Sequence, residues 1–192
     1  MIRLGVTGGI GCGKSYVCRM LSDKFGIPVY NCDIYARIIT LTDWEVRDQL
    51  SNLVPGLYDD EGELDKTKLA AYLFASAEHA ARVNAIIHPA VRSDLHEWLQ
   101  HNAQEPVVAV ETAILFESGF DTEVDRVLFV DAPLKTRIQR VMARDGLSHE
   151  EVLHRMKSQR PEEARQRADY CIVNDNEADL VSQLNSILRL LI

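Results

Sequence analysis

The chain has 192 residues, a hydrophobic fraction of 46% and a formal net charge of −8. This length and apolar content allow one compact unit with a full core and room for inserted subdomains. No run of about 18 apolar residues occurs, so we expect no membrane-spanning helix. The acidic balance argues against general nucleic-acid binding. Because a predicted strand begins at residue 2, we expect no signal peptide.

The four cysteines form no C-x-x-C pair; they are Cys12, Cys18, Cys32 and Cys171. Neither a zinc site nor a disulfide framework is therefore expected. A reduced, cytoplasmic setting fits this cysteine usage best.

The first predicted elements are a strand, a glycine-rich loop and a helix. Residues 2–7 form an apolar run typical of a buried strand, and residues 16–25 have helical spacing. Between them, residues 8–15 read GGIGCGKS, a complete G-x-x-x-x-G-K-S phosphate-binding pattern. The order strand, loop, helix is the context that this pattern requires, so it predicts binding of a nucleoside triphosphate.

In such a loop, glycines let successive backbone N–H groups point at a phosphate chain, and the helix start adds its positive dipole. Lys14 would reach the terminal phosphates, and the Ser15 hydroxyl would ligate Mg²⁺. The predicted nucleotide contacts in this loop are Gly9, Gly11, Cys12, Gly13, Lys14, Ser15 and Tyr16. Cys12 lies near a helix start that could favour a thiolate; alternatively, it is a small residue that merely fits.

Asp33 follows a second short apolar run, residues 27–30. A carboxylate at the carboxyl end of a strand faces the ligand crevice of an open α/β sheet. Asp33 could accept a proton from an attacking hydroxyl or help to hold Mg²⁺. It could equally be an N-cap of the next helix.

The next part of the chain, about residues 34–104, looks helical and separate. Asp65 can cap a helix through Phe74, and Ser76 can cap another through Ile87. His88-Pro89 is expected to break the chain before a further helix toward Asn102. This segment reads as an inserted helical subdomain that could cover a second substrate.

Three further apolar runs predict strands at residues 106–110, 127–130 and 170–173. Such runs are typical of a parallel sheet buried on both faces. Glu111 follows the third strand, where an acidic residue near the metal is common in P-loop proteins. A last helix, with an apolar stripe from Leu180 to Leu191, would pack on the sheet. The fold class predicted is α/β, a three-layer P-loop fold with a parallel five-stranded sheet.

Residues 135–167 contain nine basic and five acidic residues, a net charge of +4, whereas the rest of the chain carries −12. A basic segment in an acidic protein suggests a small polyanionic ligand. It could also be an ordinary solvated helix face. Ser148 and Glu151 form a capping box that would begin a helix in this segment.

Three classes of P-loop protein compete. A GTPase should carry an N-K-x-D motif, but residues 174–177 read NDNE. A motor or translocase would be larger and more basic. A small-molecule kinase needs a phosphate loop, a second-substrate domain and an arginine-rich lid that excludes water. The sequence supplies all three parts, while a regulatory NTP-binding module without phosphotransfer stays an alternative from another class.

A series of motifs resembles the dephospho-CoA kinases, in order along nearly the whole chain. They are residues 6–15 (VTGGIGCGKS), Asp33, residues 62–65 (GELD), 87–89 (IHP) and 114–117 (ILFE), Arg140, residues 144–148 (RDGLS), Arg155-Met156, Gln159, Ala168-Asp169 and Asn174. Some positions depart from the family pattern. Asn31 stands where Asp is frequent, Glu111 where Asp is common, and Tyr16 where Thr is usual.

The resemblance implies phosphorylation of the ribose 3′-hydroxyl of dephospho-CoA by ATP, the last step of coenzyme A synthesis. It implies a core of residues 1–33, 105–138 and 168–192, a helical CoA-binding insertion at 34–104 and a helical lid at 139–167. Asp33, Lys14, Arg140 and Arg144 would be catalytic, Asn174 would lie near the adenine, and Ser15 and Glu111 would hold Mg²⁺. We expect a monomer, with weak self-association left open, and no nucleic-acid or membrane partner. A kinase for another nucleotide or nucleoside is the second interpretation.

Overall fold

The computed structural model describes residues 1–157, 159 and 161–191, and it divides the chain into two compact units. One unit contains Met1–Asn31 and Asn102–Ile192, and the other contains Cys32–His101. Within the described residues, no helix is long and apolar enough to cross a membrane.

The first unit is built on a five-stranded sheet whose strands all pair in parallel, in the order β2-β3-β1-β4-β5. The predicted α/β class is confirmed, and the strands lie within two residues of the predicted runs. Their bounds are β1 Ile2–Thr7, β2 Val29–Asn31, β3 Val107–Glu111, β4 Arg126–Asp131 and β5 Tyr170–Val173.

The helices of this unit follow or precede these strands in the alternation expected of parallel sheets. They are α1 Lys14–Phe25, α6 Leu134–Asp145, α7 His149–Lys157, α8 Pro161–Arg167 and α9 Leu180–Leu191, with a short 3₁₀ turn at Phe120–Glu123. The predicted capping box is present: the Ser148 N–H donates to Glu151 Oε2 over 2.8 Å, and the Glu151 N–H donates to Ser148 Oγ over 3.3 Å.

Strand β1 lies at the centre of the sheet, with β3 on one side and β4 on the other. The chain leaves β1 for β2 on one side and later reaches β4 on the other, so the loop after β1 lies where the strand order reverses. In open α/β sheets, this switch point at the carboxyl ends of the strands is where ligands bind.

A hydrophobic core joins α1 and α9 to one face of the sheet. Leu4, Val6, Val17, Leu21 and Leu184 are almost inaccessible in this cluster. The alternate strand residues are buried as well, among them Val108, Val110, Val127 and Phe129. Strand β5 departs from the prediction of two buried faces, because Cys171 and Val173 are exposed. It is an edge strand, with a neighbour on one side only.

The second unit is helical, as predicted. Its helices are α2 Cys32–Thr42, α3 Trp44–Leu53, α4 Lys66–Ala75 and α5 Ala77–His101. Asp65 caps α4 as predicted, because its side chain accepts a hydrogen bond from the Lys68 N–H over 2.9 Å.

The predicted break at His88-Pro89 is wrong, since α5 runs through Pro89 without interruption. Proline cannot donate the usual intrahelical hydrogen bond, a loss that ends many helices. Here the helix continues because its apolar stripe stays in phase on both sides of the proline. Val83, Val91, Leu95 and Leu99 are all buried, and this burial outweighs the local preference to stop.

The core on the sheet predicts a contrast between two leucines of α9. Leu184 is fully buried and Leu190 is 72% exposed. Leu184→Ala should lower the free energy of unfolding by about 2–5 kcal/mol, because it removes packed methyl groups and leaves a cavity. Leu190→Ala, the matched control on the same helix, should change it by less than about 0.5 kcal/mol. Urea denaturation measures both, and equal losses would contradict the proposed packing of α9.

Candidate functional site

The loop between β1 and α1 has a backbone that only glycine adopts readily. Gly11 and Gly13 have φ angles of 79° and 92°, in the region that other residues enter at a cost. A Cβ on Gly13 would also collide with the side-chain amide of Asn174. The loop is therefore packed closely against the segment that follows β5, and Gly13 is the residue that permits the approach.

The start of helix α1 has no side-chain cap. Gly13 is its N-cap and supplies no side-chain hydrogen bond. The first N–H groups of a helix have no partner within the helix, and together with the helix dipole they form an anion site. Lys14 adds a positive charge there: its Nζ donates to the Gly8 carbonyl over 2.8 Å, which folds the side chain across the loop.

Ser15, Glu111 and Asn31 come from three elements and form one hydrogen-bonded group. The Ser15 hydroxyl donates to Glu111 Oε1 over 2.6 Å, and Asn31 Nδ2 donates to Glu111 Oε2 over 2.6 Å. Glu111 is only 4% exposed, so the hydrogen bonds from these donors replace the hydration that its carboxylate loses on burial.

The cysteines near this group are not reactive thiolates. Burial raises the pKa of the Cys12 thiol, although Lys14 opposes that rise. Burial is also the largest cause of the raised pKa of Cys18, and the neighbouring Glu111 carboxylate adds to it. Of the two interpretations of Cys12, the structure supports a small residue that fits its site.

Two adjoining cavities lie along the start of α1. The smaller, about 220 Å³, is lined by Lys14, Ser15, Arg144 and their neighbours. The larger, about 560 Å³, is lined by Met20, Asn174, Asn176 and Leu180 among others. Both share Gly13, Tyr16 and Arg140. The smaller cavity has three basic side chains in its lining, those of Lys14, Arg140 and Arg144, and so suits a phosphate chain. The larger one has the volume of a small-molecule site.

Arg140 and Asn174 connect the phosphate loop to the segment after β5. Arg140 Nη1 donates to the Cys12 carbonyl over 3.2 Å, and Nη2 donates to the side-chain oxygen of Asn174 over 3.2 Å. Asn174 is buried, and its Nδ2 donates to the same Cys12 carbonyl over 2.8 Å. Nη2 also donates to Asn176, whose φ of 81° is left-handed.

Two polar contacts to the tip of the loop were not predicted as site contacts. Arg137 Nε donates to the Ile10 carbonyl over 2.9 Å, and the Ile10 N–H donates to Gln159 Oε1 over 2.7 Å. The Ile10 side chain packs on the buried cluster of Ile138, Val141 and Val152. The spacing of Arg137, Arg140 and Arg144 places them on one side of α6, a signal that could have identified Arg137.

The basic segment has more internal partners than its sequence suggests. Arg144 Nε lies 2.7 Å from Asp145, and Arg155 lies 3.5 Å from the same carboxyl group. Arg165 pairs with Asp131, and Arg167 pairs with Asp121 and lies over the Phe116 ring. Arg144 still lines the phosphate-sized cavity. Arg160, which belongs to the predicted lid, lies outside the described residues.

Asp33 is an exposed residue in the first turn of α2. Asp33 is the second residue of the helix, whereas an N-cap is the residue just before a helix, so Asp33 is not the N-cap of α2. An acidic side chain in the first turn still complements the helix dipole. Helix α2 begins directly after Asn31, the last residue of β2. Asp33 therefore follows the carboxyl end of that strand by two residues.

The donors around Glu111 suit a hard cation. Mg²⁺ prefers oxygen ligands and is usually held by one or two side chains together with substrate phosphates. The Ser15 hydroxyl lines the phosphate-sized cavity, and the Glu111 carboxylate that accepts its hydrogen bond provides a second oxygen next to it. Among the described residues, no group of three or more His, Cys, Asp or Glu side chains could hold a metal alone.

Comparison with known proteins supplies the family. A sequence model of the dephospho-CoA kinases matches residues 2–179. A dephospho-CoA kinase of Bacteroides fragilis is 41% identical over 191 residues, which cover 99% of this chain and 93% of the relative.

Two solved structures resemble the whole chain. A crystal structure of a Thermus thermophilus protein has a TM-score of 0.87 at 37% identity, and covers 100% of this chain and 98% of its own. The dephospho-CoA kinase of Campylobacter jejuni has a TM-score of 0.70 at 26% identity, with coverage of 97% and 95%. The resemblance inferred from the motifs is thus confirmed, and the chain belongs to the dephospho-CoA kinase family.

Proposed function

We propose that this kinase transfers the γ-phosphoryl group of ATP to the ribose 3′-hydroxyl of dephospho-CoA, with Mg²⁺ as the metal ion. The observation that supports the proposal is the uncapped start of α1, where Lys14 and Ser15 line a phosphate-sized cavity that adjoins a larger one, and where the Ser15 hydroxyl is hydrogen-bonded to Glu111. Family membership supports ATP as the co-substrate.

The phosphate loop would hold the nucleotide. Its N–H groups and Lys14 would bind the phosphate chain, and the larger cavity beside Asn174 would receive the nucleoside. Ser15 and Glu111 would hold Mg²⁺, which when bound neutralises charge on the phosphate oxygens.

Asp33 would accept the proton of the 3′-hydroxyl as its oxygen forms a bond to the γ-phosphorus. The bond between that phosphorus and the β,γ-bridging oxygen then breaks, and ADP leaves. Exposed Asp33 in the first turn of α2 can exchange this proton with solvent after each turnover. The helical unit, Cys32–His101, would bind the acceptor.

Arg140 and Arg144 would stabilise negative charge on the transferring group. The segment at 139–167 would act as a lid and exclude water, which otherwise competes as acceptor. Cytoplasmic location, monomeric state and the absence of a nucleic-acid partner stay predictions.

Release of ADP from ATP tests the acceptor. Dephospho-CoA should give turnover well above adenosine, AMP, pantetheine phosphate or water, because binding of the remote pantetheine arm can be used at the reacting centre. Equal kcat/KM for adenosine and dephospho-CoA would assign the protein to nucleoside phosphorylation, and ADP release with water alone would favour a regulatory NTPase.

Lys14→Met should abolish turnover of ATP with dephospho-CoA while the far-UV circular dichroism stays unchanged.

Asp33→Asn tests the proton acceptor. It keeps the shape of the side chain but removes its basicity, so kcat should fall by about 10²-fold or more while ATP affinity is retained. Asp43→Asn is a matched control: Asp43 caps α3 by accepting from the Val46 N–H over 3.0 Å, and asparagine also caps helices. If kcat of Asp33→Asn stays within a few-fold of that of the control, Asp33 has no role in proton transfer.

Arg140→Ala and Arg144→Ala should separate two roles. Both should lower kcat by about 10²-fold, the scale for loss of one charge-stabilising donor. Arg140 also binds the loop carbonyl of Cys12, so its loss should weaken ATP binding, whereas Arg144→Ala should change ATP affinity less. Steady-state kinetics with ATP titration measure both effects. Wild-type kcat in both variants would show that this face of α6 is ordinary solvated surface.

A further inference from the structure

Asn31 and Glu111 lie side by side because of the parallel register of β2 and β3. The two residues are direct partners in the pairing of these strands, and each is the last residue of its strand. The side chains of neighbouring residues in such a register point to the same face of the sheet. Asn31 Nδ2 accordingly reaches Glu111 Oε2 at 2.6 Å.

The two carboxylate oxygens of Glu111 have different partners. Oε1 accepts from the Ser15 hydroxyl, on the side of the phosphate loop, and Oε2 accepts from Asn31. With Oε2 held by a donor from β2 and Oε1 by a donor from α1, rotation of the carboxylate out of this orientation would break hydrogen bonds from two partly buried donors. The amide thus fixes the orientation of the whole carboxylate.

We propose that Asn31 is a positioning residue for Mg²⁺ binding: it orients Glu111 so that Oε1 and the Ser15 hydroxyl face the phosphate site together. This proposal rests on the metal site of the proposed function. Groups that hold a metal ligand in place commonly govern metal affinity although they do not touch the metal.

An amide suits this role for two reasons. It donates a hydrogen bond that a deprotonated carboxylate at the same position could not donate. It is also neutral, so it places no like charge beside the Glu111 carboxylate that it binds. The arrangement keeps a single ordered carboxylate ready before nucleotide and metal arrive.

The test measures ADP affinity of the full-length protein by calorimetry, once with Mg²⁺ and once with EDTA. The ratio of the two dissociation constants reports what the metal contributes to binding. Asn31→Leu keeps a similar size but removes the donor, and it should lower this contribution by about 10- to 100-fold, the usual effect of losing a group that orients a metal ligand. Affinity for metal-free ADP should stay within about two-fold of wild type.

A double-mutant cycle with Glu111→Gln tests whether Asn31 acts through Glu111. Glu111→Gln should itself lower the metal contribution, and Asn31→Leu should then cause no further loss beyond about two-fold, because residues that act as one unit are not additive. Asn185→Leu is the matched control. Asn185 is exposed on α9 and lines a cavity together with Val107. Val107 is the first residue of β3, about 13 Å along the strand from Glu111 at the usual rise per residue.

Three outcomes in the variants would overturn the proposal: an unchanged metal contribution in Asn31→Leu, equal losses in the wild-type and Glu111→Gln backgrounds, or an equal loss in Asn185→Leu. If Asn31→Leu does not fold, as judged by circular dichroism, Asn31→Ala takes its place in the cycle. Phosphoryl transfer to dephospho-CoA is measured separately, so failure of the acceptor assignment would leave the binding cycle interpretable. Equal ADP affinity of the wild type with Mg²⁺ and EDTA would overturn the metal site and this proposal together.

Discussion

The parallel pairing of β1 with β3 on one side and β4 on the other is the constraint on which the site depends. It places Val6 beside Glu111 and Thr7 beside Phe129, so the glycine loop begins at the carboxyl edge of the sheet. From there α1 can begin with its N–H groups directed at the crevice, and its Ser15 can reach the end of β3. A shift of register by one residue would turn Glu111 to the other face of the sheet.

The loop itself is held in shape by segments that are far away in sequence. Arg140 and Asn174 bind the Cys12 carbonyl, and Arg137 and Gln159 bind the backbone of Ile10. A loop prepared in this way loses less conformational entropy when the phosphates bind, which strengthens binding. Arg140 thereby has two connected tasks, because it binds the loop backbone and also lines both cavities beside it. Movement of the predicted lid would alter the loop through the same contacts.

The basic segment illustrates how an excess of charge can mislead. The sequence of the segment suggests that its basic side chains bind a polyanionic ligand. In the structure, however, four of its arginines pair with Asp145, Asp131 and Asp121. Such exposed pairs contribute little stability. They can exchange for phosphate contacts at small cost, so the pairing is compatible with a lid.

The sequence by itself determined the strand–loop–helix unit, the alternation of strands and helices, and the family. Each depends on local signals: the glycine spacing before Lys14, apolar runs of strand length, capping residues such as Asp65, and an ordered series of motifs. The same local rules gave the wrong result at Pro89, where burial of residues on both sides kept α5 continuous.

Only the tertiary structure decided the strand order and register, and with them which polar side chains meet. Asn31, Glu111 and Ser15 are up to 96 positions apart, and no periodicity within any of the three segments encodes their contact. The same holds for Arg137 and Gln159 at the loop tip. Such contacts arise when long-range strand pairing and core packing bring separate segments together, and the free energy of that packing depends on the whole fold and cannot be assigned to any one stretch of sequence.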